Sequence, residues 1–174
     1  MKTKETPWFE RQLDFGKPKE MLPYYLERLE GTIVRLEHKV QSLSDELLSI
    51  QLNGKWSVKQ NIGHLGEVDE IANRRIDEMC TGKEMLSPAV FEPKHDFNGM
   101  RVEEVLRFFR DRRVNNLKKY QELSPDDLDK YSVHPRLKSR MTPVDLAWFD
   151  AEHDDHHLVK INEIIFNLKQ ITKA

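Results

Sequence analysis

Residues 142–170 read TPVDLAWFDAEHDDHHLVKINEIIFNLKQ. Thr142 before Pro143 is a helix start: a side chain that can cap, then a residue with fixed φ and no N–H to lose. From there Leu146, Asp150, His153, His157, Ile161, Ile164 and Leu168 recur at steps of three and four, one stripe of a helix running to about residue 170. The stripe is apolar at both ends and polar in the middle. Such a helix buries its face against other helices and carries two imidazoles, one turn apart, inward with it.

The same period recurs upstream. Leu22, Leu26, Leu29, Ile33, Leu36, Val40 and Leu43 alternate steps of four and three, until Ser44-Asp45-Glu46 and then Asn53-Gly54 close the segment. Ser57 and Gln60 have the spacing of a capping box, opening a helix with the stripe Val58, Ile62, Leu65, Asp69, Ala72, Ile76 and Met79 that ends near Thr81-Gly82. Val102, Val105, Leu106, Phe109, Leu117 and Tyr120 carry a third long helix, with Arg110, Arg112 and Arg113 assigned to its solvated face. Ser124-Pro125-Asp126-Asp127 reads as a capped single turn. Residues 83–100, with Pro88, Pro93, Asn98 and Gly99, lack periodicity and form a long crossover of the kind that often lines a site. Only short pieces such as Ala89-Val90-Phe91 could be strand. The expectation is one all-α domain, residues 1–174, folded as a four-helix bundle with long connections after its second and third helices.

Composition narrows the function classes. Lys and Arg number 28 against 30 Asp and Glu, for a net charge of −2, and no half of the chain is strongly basic, so a nucleic-acid binder is not expected. The single cysteine, Cys80, excludes an internal disulfide and a Cys-rich zinc site, and reads as a bystander. No apolar run approaches the roughly 18 residues of a membrane span. The start, MKTKETPWFERQLDFG, has no apolar h-region, so a soluble cytoplasmic protein is expected. Phosphate-cradling glycine loops, dinucleotide fingerprints and G-x-S-x-G elbows are absent from the sequence.

Chemistry concentrates in the histidines, of which there are seven. His153 and His157, at i and i+4 on the last helix, can reach one metal ion, each nitrogen at about 2.1 Å from zinc. His156 lies roughly 100° around the helix from His157, toward Phe149 and Lys160; it could pair with His153 instead, but the stripe favours His157. A third ligand must come from another helix, and His64, on the flank of the second helix's stripe, is the candidate. Gly63 and Gly66 beside it cost about 1 kcal/mol each relative to alanine, which a close backbone approach or a nearby ligand would justify. Asp150, about one turn before His153, and Glu67, three residues after His64, are candidates for a general base or for orienting a ligand imidazole. His38, His95 and His134 read as surface residues, the last two on loops within reach of the site. Asp154 and Asp155 read as solvated or capping, and Trp56 and Trp148 as core packing.

Two stretches resemble a known family. Gly54-Lys55-Trp56-Ser57-Val58-Lys59-Gln60-Asn61-Ile62-Gly63-His64-Leu65 is similar to the second-helix signature of the DinB/YfiT-like family. His134-Pro135, then Met141-Thr142-Pro143-Val144-Asp145-Leu146, then Glu152-His153-Asp154-Asp155-His156-His157-Leu158-Val159-Lys160-Ile161, resembles its fourth-helix signature. The resemblance spans about residues 19–170, taken as the core. It implies a bundle whose second and fourth helices present His64, His153 and His157 to a divalent metal, zinc or nickel, and it implies a homodimer. Characterised family members include thiol S-transferases that use bacillithiol or mycothiol, and a mycothiol-dependent isomerase. Where relatives often carry a glycine after the His-Pro, this chain reads Arg136-Leu137-Lys138-Ser139-Arg140, so substrate identity does not carry over.

Three readings follow. The leading one is a metal-dependent transferase activating a low-molecular-weight thiol against a small electrophile. The second is a hydrolase working through metal-activated hydroxide, and the third a non-catalytic, structural or stress-associated metal-binding bundle.

Overall fold

The computed structural model describes residues 6–90 and 95–171. Phe91 and Pro93 of the crossover, and the first five residues, lie outside the described residues. Four long helices form the bundle: α1 (Leu22–Val40), α3 (Val58–Cys80), α4 (Val102–Gln121) and α6 (Pro143–Ile171). Two single-turn helices, α2 (Asp45–Leu48) and α5 (Pro125–Leu128), are each capped by the serine before them, Ser44 and Ser124. Ser57 and Gln60 close the expected capping box on α3. The strands β1 (Ser132–Val133) and β2 (Arg140–Met141) are two residues each and pair antiparallel. No described helix is long and apolar enough to cross a membrane.

Cross-helix pairs reveal the topology. Thr32 meets Asp154 and Lys39 meets Asn162, so α1 and α6 run parallel. Glu70 meets Arg112 and Asp77 meets Lys119, so α3 and α4 are parallel too. Arg113 reaches Leu29, whereas Arg110 pairs with Glu37, which makes α1 and α4 antiparallel. The order is therefore up, down, down, up. Adjacent parallel helices need a return path as long as the bundle, about 35 Å for the 23 residues of α3. That is why residues 81–101 form a long crossover, pinned to β1 at its start by Leu86 N–H donating to the Val133 carbonyl.

Along the bundle the core divides in two. Leu29, Ile76, Met79, Tyr120 and Leu146 anchor one apolar cluster; Leu36, Ile62, Leu65, Phe109 and Ile161 anchor the other. Between them, at one level on all four helices, lie Thr32, Asp69, Arg113 and Asp154, each 0–1% exposed. Arg113 Nε donates to Asp69 at 2.9 and 3.0 Å, its two terminal nitrogens donate to Asp154 at 2.5 and 3.0 Å, and Nη1 also reaches the Leu29 carbonyl at 2.9 Å. The Thr32 hydroxyl donates to the same Asp154 at 2.7 Å. Two carboxylates hold the guanidinium protonated despite its burial. This corrects two expectations, since neither Arg113 nor Asp154 is solvated. Their charges are buried because they complete each other, and a hydropathy pattern treats each residue alone. Asp155 is half-buried and pairs with Arg28 and Arg35 of α1.

Candidate metal centre

One side of this polar layer opens on the histidines. His64 of α3 and His153 and His157 of α6 are 7–8% exposed, and one ring nitrogen from each lies within 4.8 Å of the others. Antiparallel α3 and α6 bring the second-helix imidazole opposite the i, i+4 pair. His156 stays outside the cluster, its Nδ1 accepting from Arg11 at 3.4 Å.

The protonation pattern follows from hydrogen bonds. Asn61 donates its amide nitrogen to the Ser57 carbonyl at 2.7 Å, which turns its oxygen toward His157 Nδ1 at 2.8 Å. His157 therefore carries its proton on Nδ1 and presents a lone pair at Nε2. That Nε2 sits 3.2 Å from His153 Nε2, while buried His153 Nδ1 has no hydrogen-bond partner. Burial pulls the His64 pKa down to about 4, and burial together with the neighbouring imidazoles holds His153 and His157 well below the ordinary histidine range. Near pH 7 the rings are neutral donors. Two nitrogens this close, one certainly a lone pair, suit either a shared proton or a cation, and neutral imidazole is a good ligand for zinc and nickel alike.

A cavity of about 750 Å³ runs from these rings, walled by Trp8, Val68, Ile71, Leu146, Phe149 and Pro88 among others. The Trp56 ring, 46% exposed, lies 4.8 Å from the His64 ring and stacks over His157 at 6.2 Å. It covers the site rather than packing in the core, contrary to expectation. Trp148 does pack beside the core, edge-on to Phe15. Trp8 meets the His153 ring edge-on at 4.9 Å. Nothing in the sequence singled out Trp8, because it stands before the first helix with no periodic neighbours; Asn61, three residues before His64, was findable from its spacing.

His134, expected on the surface, is 4% exposed and lines the cavity, its Nδ1 accepting from the Arg136 and Leu137 amides. A tight turn closed by Lys138 N–H onto the His134 carbonyl drives it inward. Exposed His38 fits its expectation, and so does exposed His95, whose ring rests against Phe97 and Phe108.

Asp150 lines the cavity at 3% exposure and makes no hydrogen bond to a described residue; burial, with Asp69 nearby, pushes its carboxyl well above the carboxylate range. Glu67 is half-buried, its Oε2 4.0 Å from His64 Nδ1. The glycines have a packing explanation. A Cβ on Gly63 would strike the Phe97 ring, and one on Gly66 would lie 2.6 Å from the Phe108 ring. The close approach is aromatic rings from the crossover and α4, not a ligand.

The model of the DinB superfamily matches residues 28–161, more than half of the chain. The chain belongs to the DinB superfamily. Among solved structures, this DinB chain is similar to YfiT from Bacillus subtilis, described as a probable metal-dependent hydrolase with an unusual four-helix bundle topology: TM-score 0.78, 17% identity, 91% of this chain and 94% of that one covered. A mycothiol-dependent maleylpyruvate isomerase is similar at TM-score 0.65 and 12% identity, with 84% of this chain and 67% of that one covered. At these identities the likeness establishes the shared bundle. No curated protein matches the sequence.

Proposed function

We propose that His64, His153 and His157 hold a divalent cation, zinc or nickel, and that the protein is an enzyme transferring a low-molecular-weight thiol to a small electrophile in the adjoining cavity. The observation that carries this is three buried, neutral imidazoles converging at one end of a cavity of about 750 Å³, within the usual range for small-molecule sites. When bound, such a cation supplies a Lewis acid that favours the deprotonated form of a thiol or water ligand. The chain's own residues do the rest. Asn61 fixes the tautomer and orientation of His157, and Glu67 is placed to position His64. Trp8 and Trp56 cover the imidazoles and limit water. In the transfer an S–C bond forms as the electrophile's leaving group departs with its electron pair.

Asp150 weighs between transfer and hydrolysis. Hydrolysis draws on a general base near the nucleophile, and burial shifts the Asp150 carboxyl toward its protonated form, which is not a base. A thiol is more acidic than water by roughly seven pKa units, so it can release its proton to solvent without such a base before the S–C bond forms. Hydrolysis stays as the second reading because of the likeness to YfiT, with Glu67 as its base. A homodimer, implied by the family resemblance, is part of the proposal and is checked by light scattering.

The test is metal content of protein purified without a nickel column, wild type beside His64→Ala and His153→Ala, followed by turnover of an electrophile with and without added thiol. About one ion per chain, lost in both variants, together with thiol-dependent turnover, is the expected result. Ester or amide cleavage without thiol would favour hydrolysis, and a metal-free wild type that takes up neither zinc nor nickel would overturn both.

A further inference from the structure

Within the reading of the cavity as a substrate site, one buried cation is unaccounted for among the described residues. Arg75 of α3 lines the cavity at 5% exposure, yet it makes no hydrogen bond or ion pair with any described residue, and its Nε is buried without a partner. Among the described residues the other buried lysine and arginine side chains are partnered: Arg113 has two carboxylates, and Lys59 has Asp45 and the Met100 carbonyl. A guanidinium largely withdrawn from water, with no acceptor among the described residues, is costly, and proteins seldom keep one unless something completes it.

Its surroundings fit an anion. Arg136, exposed on the loop after β1 and stacked on Phe9, lines the same cavity, as does His134. Because His134 Nδ1 accepts two backbone amides, its neutral ring carries the proton on Nε2 and is a donor, not a competing acceptor. Arg75 and Arg136 both help to depress the His134 pKa, which places the three groups in one electrostatic neighbourhood. The carboxyl nearest in influence to Arg75 is Asp150, which forms no ion pair with the guanidinium and which burial shifts toward its uncharged form. Arg75 is eleven residues after His64, so both lie on nearly the same face of α3, about 16 Å apart along its axis.

We propose that Arg75, with His134 and Arg136, forms a subsite for the carboxylate of a small organic acid, at the end of the cavity away from the three imidazoles. The substrate is then an elongated molecule whose carboxylate is held by the guanidinium and whose reacting atom faces the histidine cluster. A planar guanidinium matches a carboxylate with two parallel hydrogen bonds.

The experiment compares 3-phenylpropionate with 3-phenylpropanamide, equal in shape and different in charge, by calorimetric titration of the protein as purified and after chelation. The acid is expected to bind about tenfold or more tightly than the amide, and chelation is expected to leave that ratio unchanged. Arg75→Leu should bring the ratio close to one, and Arg75→Lys should restore part of it. Equal binding of acid and amide to wild type would overturn the subsite. So would a preference that survives Arg75→Leu and disappears on chelation, because the carboxylate would then sit at the histidines. Circular dichroism checks that the variants fold; should Arg75→Leu not fold, Arg136→Gln is expected to reduce the ratio several-fold. Failure of the metal proposal would appear separately, as absence of bound ion, and leave this comparison readable.

Discussion

Two buried polar groups sit side by side in this bundle and are built on opposite principles. In the layer of Thr32, Asp69, Arg113 and Asp154, guanidinium and carboxylate groups find acceptors and donors on all four helices. In the cluster of His64, His153 and His157, the lone pair of His157 faces another ring nitrogen, and His153 Nδ1 has no hydrogen-bond partner among the described residues. The first is complete within the chain. The second is left open at His153 and His157, and open polar groups at a buried cavity mark places where something outside the chain is meant to bind.

The comparison breaks most visibly at Arg113. Arg113→Leu leaves Asp69 and Asp154 buried without their cation, and removing one partner of a buried ion pair costs about 3–5 kcal/mol. Chemical denaturation should show that loss in the metal-free protein. His153→Ala removes a ring with an unpaired nitrogen, so its loss should stay well below that of Arg113→Leu, while metal binding disappears. If the histidine variant proves the less stable of the two, the contrast between a complete and an open group is wrong.

Acid should sharpen the same contrast. His64 titrates near 4 when folded and near 6.5 when unfolded. Above pH 6.5 neither state is protonated; as pH falls from 6.5 toward 4 the unfolded chain takes up the proton first, so stability is lost across that window. The depressed His153 and His157 add to this loss. Asp150 and Asp69 oppose it: burial raises the folded pKa of Asp150 well above 3.8 and that of Asp69 to about 7, so for both the folded state binds the proton first and gains stability as pH falls. The metal-free protein should therefore lose on the order of 1–3 kcal/mol between pH 6.5 and 4, and Asp150→Asn should steepen the loss. A flat profile in both proteins would contradict the buried, neutral state of the cluster.

How far the sequence reaches is clear from which residues it placed. The four long helices, the serine caps at 57 and 124 and the histidines at 64, 153 and 157 were legible because each depends on local period or on spacing within one helix. Arg113 and Asp154 were not. Their burial depends on meeting each other across diagonal helices, and a lone charged residue always looks more at home in water. His134 was misplaced for a related reason: a loop residue goes inward only through the tertiary turn that seats it. The parallel α3–α4 pair was half legible, in the length of the crossover but not in its direction.

Asn61 offers a finer cut. It touches only the open cluster, holding the His157 proton on Nδ1 through a 2.8 Å contact. Asn61→Ala should weaken metal affinity about 10- to 100-fold, the usual cost of losing a group that orients a ligand. Competition with a zinc indicator measures this. Asn61→Asp, which keeps an acceptor for the same proton, should recover much of the affinity; an equal loss in both would mean that Asn61 acts through packing alone.

The smallest effect separates the site from its packing. Gly63 precedes a proposed ligand, but the Phe97 ring lies where its Cβ would be. Gly63→Ala gains about 1 kcal/mol in helix propensity, against about 1–3 kcal/mol for forcing a side chain into a filled core. The variant should be destabilised by about 1 kcal/mol, read as a lower denaturation midpoint at unchanged slope. Trimming the ring in the double variant Gly63→Ala/Phe97→Leu should cancel most of the clash, so the two changes together should cost less than the sum of each alone. Metal affinity should be the same in wild type and Gly63→Ala. Were it to fall with the stability, the glycine would belong to the open cluster, and the boundary between the two kinds of buried group would have to be redrawn through the backbone of α3.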